Sequence, residues 1–101
     1  MKYSLSSSEF KTVYKNAKSL IARDLLFKYA QDDNPKLGFI VSTKYGNSVE
    51  RNLFKRRCRH AFYHLIKQNF TYSLIIKPNN TNITWNTINE AFDTLYNKVI
   101  N

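Results

Sequence analysis

A chain of 101 residues that is 43% hydrophobic, with seven Phe, seven Tyr and one Trp, can build one modest core and is not a disordered basic tail. Sixteen Lys and Arg against seven Asp and Glu give a net charge of +9, which calls for a polyanionic partner, either nucleic acid or an anionic membrane surface. A single cysteine, Cys58, excludes an internal disulfide and a thiolate zinc cluster, and suits a reducing compartment. The segment Met1–Ser6 lacks the apolar run of a signal peptide, and no stretch approaches the ~18 apolar residues of a membrane span. The expectation is a cytoplasmic protein with no membrane partner. The Asn-x-Thr triplets at Asn69, Asn79 and Asn82 are then chance features of an Asn-rich chain.

In chain order, Ser6 and Glu9 form a capping box, with Leu5 and Phe10 placed as its hydrophobic staple. Phe10, Val13, Tyr14 and Ala17 recur at helical spacing, so a first helix is predicted. Phe10 and Tyr14 suit either its core face or a groove where bases stack. A strand over Ala22–Ala30, a polar turn ending in Asn34-Pro35 and a second strand over Lys36–Lys44 suggest an antiparallel hairpin. Gly38 inside the second strand marks a close backbone approach or a bulge, and Gly46 breaks the pattern.

Asn47 and Glu50 cap a second helix that buries Phe54, Cys58, Ala61, Phe62 and Leu65. Its adjacent stripe carries Asn52, Lys55, Arg56 and Arg59, extended by Tyr63, while Arg51 projects from the first turn. A buried strand follows at Tyr72–Lys77, ended by Pro78. Thr84 caps a last helix with Ile83 and Ile88 as staple and Ile88, Ala91, Phe92, Leu95 and Val99 as its apolar stripe. The order is helix, two or three strands, helix, strand, helix, which is an α+β domain with a small sheet.

No protein active site is visible. His60 and His64 at i, i+4 have metal-binding spacing, but no Asp, Glu or Cys lies beside them on the polar side, so a solvated helix face is expected. Cys58 falls on the apolar side, which favours packing over reactivity. Phosphate binding is the legible chemistry. Five of the sixteen cations lie between Arg51 and Arg59, with no acid from Glu50 to Glu90 at the spacing that would solvate and pair them. Arg56 and Arg59 offer forked donors, Lys55 a point charge and Asn52 both donor and acceptor, beside the positive end of the helix dipole.

Lys44-Tyr-Gly-Asn-Ser-Val-Glu-Arg-Asn-Leu-Phe-Lys-Arg-Arg-Cys-Arg59 resembles the signature of the bacterial ribonuclease P protein component family. In that family a Lys-x-Gly-Asn-Ala-Val segment runs into an Arg-Asn-Arg-x-x-Lys-Arg-x-x-Arg type of helix. Gly46, Asn47, Val49, Arg51, Asn52, Lys55, Arg56 and Arg59 match, while Leu53 replaces the usual second Arg and Arg57 a usual apolar residue. These two positions are about 40° apart on the helix, so a charge has moved one turn along one edge. Ser8–Tyr14, Leu37–Ser42 and Tyr72–Pro78 resemble the family's first helix, central strand and last strand, and the long basic tails of many members are missing.

The resemblance implies an α+β fold with a small mixed sheet of about four strands and three helices in α-β-β-β-α-β-α order. This is a ribosomal protein S5 domain 2-like fold with a left-handed crossover, against the usual hand. It implies one RNA-binding domain over residues 1–101 that partners ribonuclease P RNA, one to one, and precursor tRNA. The RNA subunit and its Mg2+ would perform the cleavage of the 5′ leader. Lys44, Asn47, Arg51, Asn52, Lys55, Arg56, Arg57 and Arg59 would hold RNA, and Phe10, Tyr14, Phe27 and Tyr29 would line a leader cleft between the sheet and the first helix. The alternatives are another small RNA-binding ribosomal or assembly protein, or a DNA-binding domain with the basic helix in the major groove. Membrane-surface binding would need an exposed apolar stripe that this chain spends on its core.

Overall fold

Residues 3–100 are described by the computed structural model, so the expected domain of residues 1–101 extends past it by Met1, Lys2 and Asn101. The elements are α1 (Ser7–Asn16), β1 (Lys18–Ala22), β2 (Leu25–Gln31), β3 (Leu37–Phe39), α2 (Ser48–Lys67), β4 (Tyr72–Pro78) and α3 (Trp85–Ile100). One mixed sheet has the order β1-β2-β4-β3, antiparallel except where β3 pairs with β4. The parallel β3–α2–β4 unit is the crossover at which the unusual hand is expected. Among the described residues no helix is long and apolar enough to cross a membrane.

The helix starts follow their side chains. Ser6 Oγ accepts from Glu9 N–H at 3.3 Å, and Glu9 Oε1 accepts from Ser6 N–H at 2.9 Å. Lys36 also donates to Glu9, and that bond, with Ser6, pulls the Glu9 carboxyl down to about 2. In α2 the reciprocal bonds between Asn47 and Glu50 are both 2.9 Å. At α3, Thr84 Oγ1 accepts from Thr87 N–H at 3.2 Å, and Ile83 and Ile88 are both buried.

The strands depart from the expected hairpin. β2 and β3 do not pair, because β4 lies between them. The Asp32–Pro35 turn steps over the end of β4 and is fastened to it. Ser73 Oγ donates to Asp32 Oδ2 at 2.8 Å and accepts from Lys36 N–H at 2.9 Å, which satisfies this buried hydroxyl. The hairpin present is β1–β2, closed by Arg23-Asp24 with Arg23 at φ 54°. Neither residue is the usual Gly or Asn for that conformation, so Ala22–Ala30 reads as one strand across the turn. The Arg23 turn is held by Asn79 N–H donating to Asp24 O at 2.7 Å and by the Arg23–Glu90 ion pair at 3.7 Å.

The sheet separates two layers. Leu25, Phe27, Tyr29, Leu37, Leu74 and Ile76 face α2 and α3 and form the main core with the predicted faces of both helices. On the other face α1 sets Val13 and Phe10 against Ile75 and Gly38. A Cβ at Gly38 would stand 2.9 Å from Phe10 Cδ2 and 3.0 Å from Leu5 Cδ1, so this glycine is a close approach where the staple pair meets the sheet. Gly38→Val is therefore expected to lose about 1–3 kcal/mol in a denaturant titration. Combining it with Phe10→Leu should recover part of that loss.

Candidate nucleic-acid interface

The segment entering α2 is anchored before it is charged. Tyr45 packs its ring 5.1 Å from Phe54 and its hydroxyl accepts from Ile83 N–H at 3.3 Å, and partial burial pushes its acidity down, raising its pKa. Gly46 leaves room for the capping carboxylate, since a Cβ there would sit 2.6 Å from Glu50 Oε1. Arg51 Nη1 donates to Gly46 O at 3.1 Å and ties the first turn of the helix back to the loop. Asn47 and Arg51 thus spend part of their hydrogen bonding on holding the turn. Lys44, just before it, is exposed.

Beyond this turn the cations divide between two edges. Arg56 is exposed on the crest, while Lys55 and Arg59 are half-buried on the edge facing β3, where Arg59 lies 5.5 Å over the Phe39 ring. Asn52 is exposed on that same edge. Arg57 lies on the opposite edge, sharing with Leu53 a groove of about 350 Å³ that also takes in Tyr45, Ile83 and Trp85. The structure thus brings Leu53 and Arg57 to one groove. None of the five cations from Arg51 to Arg59 forms an ion pair among the described residues, where the two pairs are Arg23–Glu90 and Lys36–Glu9. Cys58 is fully buried beneath them, and its burial pushes the thiol far above the ordinary range.

A cleft lies between α1 and the sheet, but its lining differs from the expected one. Phe27 is 0% exposed and packs 5.1 Å from Phe92, and Tyr29 is 8% exposed against Tyr72, both on the α2–α3 side. Successive residues of a strand point to opposite faces, so the cleft receives Leu26 and Lys28 instead. With Tyr14, Ile40, Ile75 and Lys77 these enclose about 170 Å³. Phe10 and Tyr14 also part company. Phe10 is half-buried over Gly38, and Tyr14 stacks on it at 6.2 Å and remains 47% exposed at the cleft, with Lys28 Nζ 4.6 Å from its ring centre.

Lys28 and Lys77 join the site although no motif or helical spacing marks them in the sequence. The available signal was alternation: both are cations at the positions of buried strands that face away from the main core. A second cavity of about 340 Å³ shares Ile40 and Lys77 with the cleft and continues past Ser42 to Lys44 and Tyr45. Lys28, Lys77 and Lys44 therefore mark a cationic route from Tyr14 around the sheet edge to the start of α2. Tyr45 was also missed, since an aromatic between Lys44 and Gly46 carries no periodic signal.

A family model described as Ribonuclease P matches residues 3–100. The "Ribonuclease P protein component" of Macrococcus caseolyticus is 32% identical over 94 residues, covering 86% of this chain and 80% of that one. The component from Bacillus pumilus is 30% identical over 98 residues, covering 91% and 82%. Among solved structures, the Staphylococcus aureus RNase P protein superposes with a TM-score of 0.81 at 23% identity, covering 98% of this chain and 96% of that one. The RNase P protein from Thermotoga maritima gives 0.70 at 21% identity, covering 89% and 90%. At these identities the structural likeness speaks to the fold, including its three helices and four-stranded mixed sheet.

Proposed function

The chain belongs to the ribonuclease P protein family and is a protein subunit of that endoribonuclease, and from this premise we propose how its two surfaces divide the work. The basic start of α2 binds the RNA subunit. The cleft at Tyr14 binds the single-stranded 5′ leader of precursor tRNA, with one protein per RNA, in the cytoplasm where the substrate is made. The observation that carries this reading is the set of cations on α2 with no ion pair among the described residues, joined through Lys44 and Lys77 to an aromatic cleft. Such a set repels itself until a polyanion neutralises it.

Within the first surface, Lys55, Arg56 and Arg59 make the phosphate contacts, with Asn52 bridging a phosphate or a sugar hydroxyl. Arg51 and Asn47 hold the turn and offer their remaining donors, and Lys44 extends the surface. Arg57 supplies, from the facing edge, a contact that Leu53 cannot. Within the second, Tyr14 gives a stacking face, Phe10 supports it from beneath, and Lys28 and Lys77 attract the backbone, a usual combination for single-stranded RNA. Phe27 and Tyr29 support the sheet and take no part in the contact.

The lining of the leader cleft does not fit Mg2+. That ion takes oxygen ligands in near-octahedral geometry, whereas the cleft presents the ammonium groups of Lys28 and Lys77. We therefore assign Mg2+ to the RNA subunit and its substrate, and to the protein the positioning of the two RNAs. Reconstitution tests the assignment: the chain is mixed with ribonuclease P RNA and precursor tRNA at low Mg2+. Faster cleavage at the leader junction than with RNA alone is expected. Equal rates would overturn the reading, and duplex DNA binding as tight as RNA binding at the same salt would favour a DNA-binding module.

A further inference from the structure

One pair of side chains is left unused by the RNA-binding surfaces. His60 and His64 are exposed on successive turns of α2, and their Nε2 atoms stand 3.2 Å apart with the rings nearly perpendicular at 81°. Both nitrogens converge on one point in front of the helix. At metal–nitrogen bonds of about 2.0–2.1 Å, two imidazole nitrogens lie roughly 3.3 Å apart at a tetrahedral angle and roughly 2.9 Å apart at a right angle. The observed separation falls between those values, so both nitrogens can ligate one metal ion with little side-chain movement.

We propose that His60 and His64 form a two-point chelate for a borderline transition-metal dication of the Ni2+, Cu2+ or Zn2+ class. Imidazole nitrogen suits these ions, and their order of affinity should place Cu2+ above Ni2+ and Zn2+. Two protein ligands leave the remaining positions to water or an anion. A shallow groove of about 410 Å³ reaches His60 past Leu53, Arg56, Arg57 and Trp85, and it gives that co-ligand a path. Arg56 and Arg57 one turn earlier oppose a bare dication and favour an anionic co-ligand such as chloride or phosphate. Lys67, one turn later, is held at 4.8 Å over the Tyr63 ring.

The chain carries its own reporter. Its single Trp, Trp85, has its ring 5.3 Å from that of His60, within range of quenching by an open-shell metal ion. The experiment titrates the full chain, without RNA and without an affinity tag, with Ni2+ and with Cu2+ while following Trp emission. A saturable one-to-one quench is expected, with Cu2+ acting at the lower concentration and an excess of closed-shell Zn2+ restoring the emission. His60→Gln and His64→Gln each remove one arm of the chelate and should raise the midpoint at least ~10-fold. Both side chains are exposed, so circular dichroism should show the folded spectrum in each variant. An unaltered midpoint in either variant, or a quench that never saturates, overturns the proposal.

Discussion

Replacing Arg56 and Arg59 together by Ala should weaken binding to ribonuclease P RNA and flatten the dependence of log affinity on log salt by about two units, near one for each lost phosphate contact. Between 50 and 200 mM salt that change in slope alters the ratio of wild-type to variant affinity by roughly tenfold. The two arginines are suited to the test for different reasons. Arg56 is exposed and free of any ion pair among the described residues, so its removal takes away charge and little packing. Arg59 is steadied by Phe39, and its guanidinium starts partly ordered, which lowers the cost of fixing it on a phosphate. Arg51 would be a poor choice, because its bond to Gly46 O supports the turn as well. Filter binding or fluorescence anisotropy across a salt series measures the slope. An unchanged slope would mean that these side chains stay in solvent when the RNA is bound.

The basic helix could be read from sequence because its signals are local. Asn47 and Glu50 cap each other three residues apart, and the apolar faces of α2 and α3 recur every three or four residues, so the chain positions and the spatial positions agree. The sheet was less legible because its order depends on partners far away in sequence. Nothing in Gln31–Pro35 announces that β4, some forty residues on, will sit between β2 and β3, and the fastening is shared by the hydroxyl of Ser73 and by Asp32 N–H donating to Thr71 O. The same strand shows why the cleft was assigned to the wrong side chains. Leu25, Phe27 and Tyr29 alternate with Leu26, Lys28 and Ala30, so the parity is marked by Lys28 but blurred by Leu26. The decision comes from Gly38, whose missing side chain admits Phe10 on the face shared by Ile75 and Lys28.

That parity can be tested by a pair of aromatic truncations whose effects should fall on different measurements. Phe27→Ala removes a ring that is 0% exposed and packed edge-on against Phe92, so a loss of about 3–5 kcal/mol is expected in denaturant titration. In a small domain this is a large part of the total stability, and the melting temperature should fall by more than ~12 °C. Whatever folded protein remains should bind leader-containing and leaderless tRNA, in complex with the RNA subunit, in the wild-type ratio. Tyr14→Ala takes away a ring that is 47% exposed and rests on Phe10 and Lys28, so stability should change by less than ~1 kcal/mol. If a leader base stacks on it, affinity for precursor tRNA should fall about fivefold or more while that for mature tRNA stays unchanged. A selective loss in Phe27→Ala, or equal losses for both substrates in Tyr14→Ala, would put the leader on the other face of the sheet. Such an outcome is disfavoured by packing alone, because α2 and α3 already fill that face around Phe27, whereas on the α1 face Tyr14, Lys28 and Lys77 line an open cleft.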